Sequence, residues 1–249
     1  MIRTRSRAAS FAVAAGLGRA VYEGLRRCRG ADPRWERTNH AGRPVHLYAG
    51  PAAAVGAAVG AGSGAGALAV LAAGVCGAYD DVRGDGRRGF RAHLTALREG
   101  EVTSGAVKLF GIGAAGLVAG ALLKERPVDK LLAGVVIAGT AHLVNLVDVR
   151  PGRAGLVVLG LAAPGLLRGP QAAAPMGAAA ALLADDLAER TMLGDTGAHA
   201  LGAAVGTAIA AGNGRLGLAA HAAGLVTAAV YAETSANARG LTHVGEPGR

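Results

Sequence analysis

Asp80 and Asp81 form an adjacent pair of carboxylates directly after a long uncharged stretch of the chain. A carboxylate at the centre of a membrane helix costs about 2.5–3.5 kcal/mol, and a second one beside it adds like-charge repulsion. Such a pair needs a cation, and Mg²⁺ held by one or two carboxylates together with substrate phosphates is the commonest solution in proteins. The pair therefore predicts a site for Mg²⁺, with Mn²⁺ as the alternative ion.

Two further acidic positions could complete this site. Asp148 lies in HLVNLVDVRPGR, and Asp195 lies in MLGDTGAHALG. Gly194 and Gly197 flank Asp195 and allow a tight turn at the start of the next apolar run, where free helix amides could also meet phosphate oxygens. Each acidic residue alone is also explained as an interfacial carboxylate paired with a loop arginine. Together they predict a site that forms where the ends of several helices meet.

The composition predicts the elements that would hold these residues. The chain of 249 residues is 51% hydrophobic and 17% charged, whereas globular proteins are about 25% charged. Apolar stretches of about 15 to 20 residues separate the charged clusters, which is the length needed to cross a bilayer. We therefore predict an all-α fold, a polytopic transmembrane helical bundle that forms a single domain over residues 1–249. The 41 glycines allow tight helix packing and would permit a homodimer.

The net charge of +9 does not indicate a nucleic-acid-binding protein, because the basic residues lie between apolar runs and not on a basic domain. The apolar runs predict about nine spans. The first would end near Leu25 and is favoured over a signal peptide because Arg19 interrupts the run. Residues 47–79 contain no acidic or basic residue and are too long for one span, so the glycine-rich GAGSGAG segment predicts two short helices.

The distribution of arginines predicts the orientation of the chain in a cell membrane. By the positive-inside rule, the arginine-rich loops face the cytoplasm. Alternation of the spans then places the acidic clusters, and so the active face, on the cytoplasmic side. The predicted cytoplasmic loops are near residues 26–46, 80–103, 148–153, 185–195 and 233–249.

Several segments occur in an order typical of one enzyme family. They are RTNHAGRPVHLYAGP, AYDDVRG, SGAVKLFG, VNLVDVRPG and MLGDTGAHALG, and together they extend over residues 37–206. The chain resembles the polyprenyl-phosphate sugar-1-phosphate transferases of glycosyltransferase family 4. The resemblance implies an Mg²⁺-dependent transfer of a sugar-1-phosphate from a nucleotide-diphosphate sugar to a polyprenyl-phosphate lipid carrier, in the synthesis of cell-envelope glycans.

The resemblance also implies roles for individual residues. Asp195 would be the metal ligand, and Asp80 and Asp81 would assist the metal and the lipid phosphate, one of them acting as a base. Lys108 would contact phosphate, and Asp148 would be a further catalytic group. The substrate-binding residues would be Asn39, His142 and Asn145, with Arg87, Arg88 and Arg91 close to the phosphates.

Some positions depart from the pattern of the family. His142 occupies the place of an asparagine, Val149 that of a glycine, and His243 is what remains of a histidine-rich loop. These departures favour an alternative, a catalytically inactive relative that acts as a membrane partner or scaffold. A small-molecule transporter would explain the apolar spans but not the gathering of acidic residues. Asp185 and Asp186, on the same predicted face, are either loop charges or members of the site.

Overall fold

The computed structural model describes residues 6–29, 32–39, 41–84 and 90–238. Within these residues the chain is helical apart from one short hairpin, so the prediction of an all-α fold is confirmed. The helices are α1 (Arg7–Arg29), α2 (Ala49–Gly60), α3 (Gly64–Arg83), α4 (Phe90–Arg98), α5 (Ser104–Leu123), α6 (Pro127–Val147), α7 (Arg153–Ala162), α8 (Ala173–Leu187), α9 (Gly194–Gly212) and α10 (Arg215–Ala238). The antiparallel hairpin pairs β1 (Glu36–Thr38) with β2 (Pro44–His46).

Four helices of the described chain are long and apolar enough to cross a membrane. They are Gly64–Arg83, Ser104–Leu123, Pro127–Val147 and the Arg215–Ser235 part of α10. The predicted count of nine spans is not confirmed. The helices α2, α7 and α8 have 12, 10 and 15 residues, which corresponds to about 15–23 Å of helix against a hydrocarbon core of about 30 Å.

The uncharged stretch over residues 47–79 forms two helices, as predicted. The helix α2 ends at Gly60, and Ser63 caps the start of α3 by accepting a hydrogen bond from the Gly66 amide at 3.2 Å. An N-cap of this kind satisfies one of the free amides at a helix start. The predicted loop over residues 80–103 is less extended than expected, because it contains α4.

The helix α9 lies at the centre of the bundle, packed against α2, α3 and α6. Its side chains are almost all buried, and most of them are small. A Cβ added at Gly202 would lie 2.6 Å from the Ala141 Cα, and one at Gly206 would lie 2.7 Å from the Ile137 Cα, both on α6. Helices that lack side chains at such positions can approach closely. The middle of α9 therefore lies directly against α6.

Two glycines on neighbouring helices lie against the N-terminus of α9. A Cβ at Gly77 on α3 would lie 2.7 Å from the Thr196 backbone nitrogen, and one at Gly50 on α2 would lie 2.9 Å from the Thr196 Cβ. Real Cβ atoms essentially never approach other atoms this closely. These contacts therefore fix the position of the start of α9 relative to α2 and α3.

We expect Gly77→Ala to destabilise the protein, because the new methyl group would push α3 away from the start of α9. Overpacking of this kind typically costs about 1–3 kcal/mol. Thermal unfolding of the purified protein in detergent measures the effect. Gly113→Ala on α5 is the matched control, since a Cβ there meets nothing within 4 Å. Equal melting temperatures for the two variants would contradict the close packing described here.

Candidate functional site

Asp80, Lys108 and Asp195 meet at one end of the bundle. Asp80 lies in the last turn of α3, Lys108 in the second turn of α5 and Asp195 in the first turn of α9. The Lys108 Nζ donates a hydrogen bond to Asp80 Oδ2 at 2.7 Å and another to Asp195 Oδ2. The side chains of Asp80, Lys108 and Asp195 are 21%, 19% and 25% exposed, so a ligand could reach them. We refer to these residues as the Asp80–Lys108–Asp195 cluster.

The start of α5 is fixed by local interactions that place Lys108. Thr103 caps the helix by accepting a hydrogen bond from the Ala106 amide at 3.1 Å, and His93 Nδ1 lies 2.9 Å from the same hydroxyl. The His93 ring packs over Gly105, where a side chain would collide with it. His93 therefore acts as a packing residue that joins α4 to α5.

Asp81 has a different environment from Asp80. It is 8% exposed and accepts hydrogen bonds from the Asp195 amide at 3.0 Å, from the Thr196 amide at 2.9 Å and from Thr196 Oγ1 at 2.5 Å. The first amides of a helix have no partner within the helix, and negative charge is favourable at that end. Gly194, with φ of +59°, leaves room for the carboxylate. Asp81 thus caps α9 from a neighbouring helix.

This capping role was not found from the sequence, which suggested only that Asp81 assists catalysis. The three hydrogen bonds engage both carboxylate oxygens, so Asp81 holds the residue that would bind the metal. No local signal could have revealed this contact, because the residues it joins are 114 and 115 positions apart.

Asp148 follows the last residue of α6, and its amide donates a hydrogen bond to the Asn145 carbonyl at 3.2 Å. Burial raises the pKa of Asp148 to about 7, and the nearby charges of Asp186, Asp195 and Asp81 act in the same direction. Both protonation states are therefore populated near neutral pH. A general acid or base works best when its pKa lies near the working pH.

A polar cavity of about 210 Å³ opens beside Asp148. Its lining combines residues from the hairpin, the α6–α7 loop and the α8–α9 loop, among them Asn39, Asp148, Arg150, Asp186 and Glu189. Asp186 accepts a hydrogen bond from the Gly152 amide at 3.0 Å. The cavity thus brings together two residues that the sequence assigned to the site, Asn39 and Asp148, with Asp186, whose role the sequence left open.

Asn39 supports the cavity wall more than it faces a ligand. Its Oδ1 accepts hydrogen bonds from the amides of Ala41 at 3.0 Å and Arg43 at 2.8 Å. Its Nδ2 donates to Glu189 Oε2 at 2.8 Å, and Arg43 pairs with the same oxygen at 3.0 Å. Glu189 has a φ of +53°, a left-handed conformation that is uncommon outside glycine. Asn39 and Arg43 therefore fasten the hairpin to a strained turn of the α8–α9 loop.

His142 is predicted to bind substrate, and this role stays a prediction. The residue is exposed on α6, where the charges of Lys108 and Glu233 act on it. Asn145, one turn later, is half-buried. Neither residue is among the described residues that line the cavity.

Two further polar residues of this end, Asp185 and His199, have structural partners. Asp185 is 3% exposed and pairs with Arg19 at 2.5 Å and Arg190 at 2.8 Å, so it is a carboxylate neutralised by arginines. His199 is 3% exposed, and its Nδ1 lies 2.8 Å from the Asp195 carbonyl oxygen. These contacts tie α1 to α8 and stabilise the first turn of α9.

The cluster offers two carboxylates to a divalent ion. Among the described residues, no three His, Cys, Asp or Glu side chains form a ready-made metal site. Mg²⁺, however, is commonly bound by one or two carboxylates, with waters and phosphates completing its shell. Asp80 and Asp195 already direct oxygens at one cation, the Lys108 ammonium. This donor set fits an ion that is shared between the protein and a phosphate ligand.

Some residues predicted to contact phosphates fall outside this description. Arg87, Arg88 and His243 lie outside the described residues, and the Arg91 side chain is likewise outside them.

No family model matches the chain. No curated protein is detectably similar to it.

Proposed function

We propose that the protein transfers a sugar-1-phosphate from a nucleotide-diphosphate sugar to a polyprenyl-phosphate lipid, in the synthesis of cell-envelope glycans. The observation that carries the proposal is the meeting of Asp80 and Asp195 on one cation at the end of an apolar bundle. It is supported by the ordered resemblance over residues 37–206 to the glycosyltransferase family 4 transferases.

The charges of the site suit this reaction. A lipid phosphate and a nucleotide diphosphate repel each other unless their charge is neutralised. A Mg²⁺ ion held by Asp80 and Asp195 would supply that neutralisation when it is bound. An oxygen of the lipid phosphate attacks the sugar-linked phosphorus, the bond between the two phosphates of the donor breaks, and a nucleoside monophosphate leaves. Lys108 donates hydrogen bonds to the phosphate oxygens during this transfer.

The cavity beside the cluster is assigned to the polar part of the donor. Its lining offers the guanidinium of Arg150 and the carboxylates of Asp148 and Asp186. Asp148, which is both protonated and ionised near neutral pH, can hold or release a proton at this place. The lipid tail would lie along the exposed apolar helices, such as α5 and α10.

The activity is tested directly by the release of nucleoside monophosphate. Purified protein is incubated with polyprenyl phosphate, Mg²⁺ and a panel of nucleotide-diphosphate sugars. Release that depends on both the lipid and the ion is expected. Binding of a nucleotide sugar without release under any divalent ion would instead favour the alternative, a catalytically inactive relative that acts as a membrane partner or scaffold.

We further propose a multi-pass protein of the cell membrane with about nine spans and the cluster at the cytoplasmic side. This orientation is supported by arginines in loops and at helix ends on the side of the bundle that carries the cluster, namely Arg26, Arg27, Arg83, Arg98, Arg150 and Arg153. Such a bias sets the orientation of membrane proteins. The short helices α2, α7 and α8 would cross only with the help of their neighbours.

The orientation predicts different labelling of two engineered cysteines. In a background of Cys28→Ser and Cys76→Ala, Thr95→Cys on α4 should resist a membrane-impermeant maleimide in intact cells. Glu125→Cys, exposed in the α5–α6 loop, should react. Both cysteines should react after the cells are permeabilised. Reaction of Thr95→Cys in intact cells would place the cluster on the outer side and contradict the proposed orientation.

A further inference from the structure

The Lys108 ammonium group occupies the position at which a divalent ion would bind. Its ammonium group donates hydrogen bonds to Asp80 Oδ2 and Asp195 Oδ2, the two oxygens that the proposed function assigns to the ion. Among the described side chains, no other cation forms an ion pair with either carboxylate. A single internal charge, that of Lys108, therefore balances the two carboxylates only in part, and the cluster carries one excess negative charge when both are ionised.

The ammonium and a divalent ion exclude each other at this position. Mg²⁺ lies about 2.0–2.1 Å from its oxygen ligands, and Lys108 Nζ lies 2.7 Å from Asp80 Oδ2. A cation bound to the same two oxygens would occupy almost the same point as Nζ. Like charges at such a distance repel strongly in a partly buried site. One of the two cations must leave when the other binds.

Lys108 is able to leave. It has a flexible four-carbon stem, and its side chain is 19% exposed, which opens a path toward the solvent-facing side of the cluster. Asp81, the other nearby carboxylate, cannot accept it readily, since both of its oxygens are held by the start of α9. A displaced ammonium would thus be available to an anionic ligand.

We propose that Lys108 is an internal counter-ion that occupies the divalent-ion position and is exchanged for the ion when the site is loaded. The proposal rests on the proposed function in assigning Asp80 and Asp195 to the ion. In the ion-free protein, Lys108 stabilises the paired carboxylates. In the loaded protein, Lys108 turns to the phosphate of the substrate. Ion binding and phosphate binding then favour each other. The ion pairs with the two carboxylates that Lys108 leaves, and the phosphate pairs with the displaced ammonium.

Two measurements on Lys108→Met test the exchange. Binding of Mn²⁺ is followed by the loss of the free-ion signal in electron paramagnetic resonance, with purified full-length protein in detergent. We expect the variant to bind Mn²⁺ roughly tenfold or more tightly than the unmodified protein, a coupling of ordinary size. We also expect its melting temperature without divalent ions to fall, and the difference to close when Mn²⁺ saturates the site.

Loss of a simple structural contact would lower the melting temperature without strengthening Mn²⁺ binding. Loss of an exchanged counter-ion should do both. Lys130→Met, near the start of α6 and away from the cluster, is the matched control and should change neither quantity. Asp195→Asn should remove Mn²⁺ binding from both the unmodified protein and the Lys108→Met variant. If Lys108→Met does not fold, Lys108→Gln, which retains hydrogen bonding without the charge, should show the same pair of effects.

Unchanged or weaker Mn²⁺ binding in the Lys108 variants would overturn the proposal, and so would the absence of Mn²⁺ binding in every form of the protein. The proposed function fails in a different way. The unmodified protein could bind Mn²⁺ in exchange for Lys108 and yet release no nucleoside monophosphate. That result would support the counter-ion proposal and contradict the proposed transferase function.

Discussion

Asp195→Asn should abolish the release of nucleoside monophosphate. Mutation of groups that only support a metal ligand commonly costs 10–100-fold in metal affinity or activity, so loss of a ligand itself should cost at least roughly 100-fold. Asparagine has nearly the same shape as aspartate, but it lacks the negative charge that holds a divalent ion and balances Lys108. The assay is monophosphate release under saturating Mg²⁺ and lipid.

The fold of this variant should stay intact. The backbone amide of residue 195 still donates its hydrogen bond to Asp81, and Lys108 keeps its contact with Asp80. Asp129→Asn is the matched control, because Asp129 of α6 forms an exposed ion pair with Arg215 of α10. Such pairs contribute little to stability. Normal turnover in Asp195→Asn would remove Asp195, and the cluster with it, from the proposed reaction.

Asp81→Ala should cause a large loss of stability together with the loss of activity. The change leaves two amides of α9 and the Thr196 hydroxyl without their partner at a buried position. Each buried donor left unpaired costs about 1–3 kcal/mol, so a loss of at least roughly 3 kcal/mol is expected for the three donors together. Thermal unfolding in detergent, followed by circular dichroism, measures this loss.

Asp80→Ala is the informative comparison for Asp81→Ala. Asp80 is the neighbouring carboxylate, yet it is more exposed and bonds to a flexible lysine and not to the start of a helix. We expect Asp80→Ala to reduce turnover with a much smaller change in melting temperature. Thr196→Val, which removes only the hydroxyl bond, should fall between the two in stability. A melting temperature for Asp81→Ala equal to that of the unmodified protein would disprove the capping role.

The sequence predicted the features that local patterns determine. The lengths of the apolar runs predicted an all-α fold, and the glycine-rich turn before Ser63 predicted that residues 47–79 form two helices. The Gly-Asp-Thr-Gly segment predicted that a helix begins next to Asp195. The nine spans were inferred from run lengths, but several runs form helices too short to count as spans by length alone. Pro164 and Pro170 illustrate the reason, because they lie in short 3₁₀ turns that divide the apolar stretch between α7 and α8.

The missing parts of the site depend on contacts between distant segments. The capping of α9 by Asp81 joins residues more than a hundred positions apart, as does the attachment of Asn39 to Glu189. Residue types therefore identified the members of the Asp80–Lys108–Asp195 cluster, while the roles of Asp81 and Asn39 required the packing of the helices.

The glycines that enclose the start of α9 determine which parts of the site can move. With Gly50 and Gly77 in direct contact with its backbone, the first turn of α9 should show slow amide hydrogen exchange. Asp195 then keeps its position relative to α2 and α3. Any adjustment to substrates of different size has to come from the lysine side chain and from the hairpin, whose amides should exchange faster.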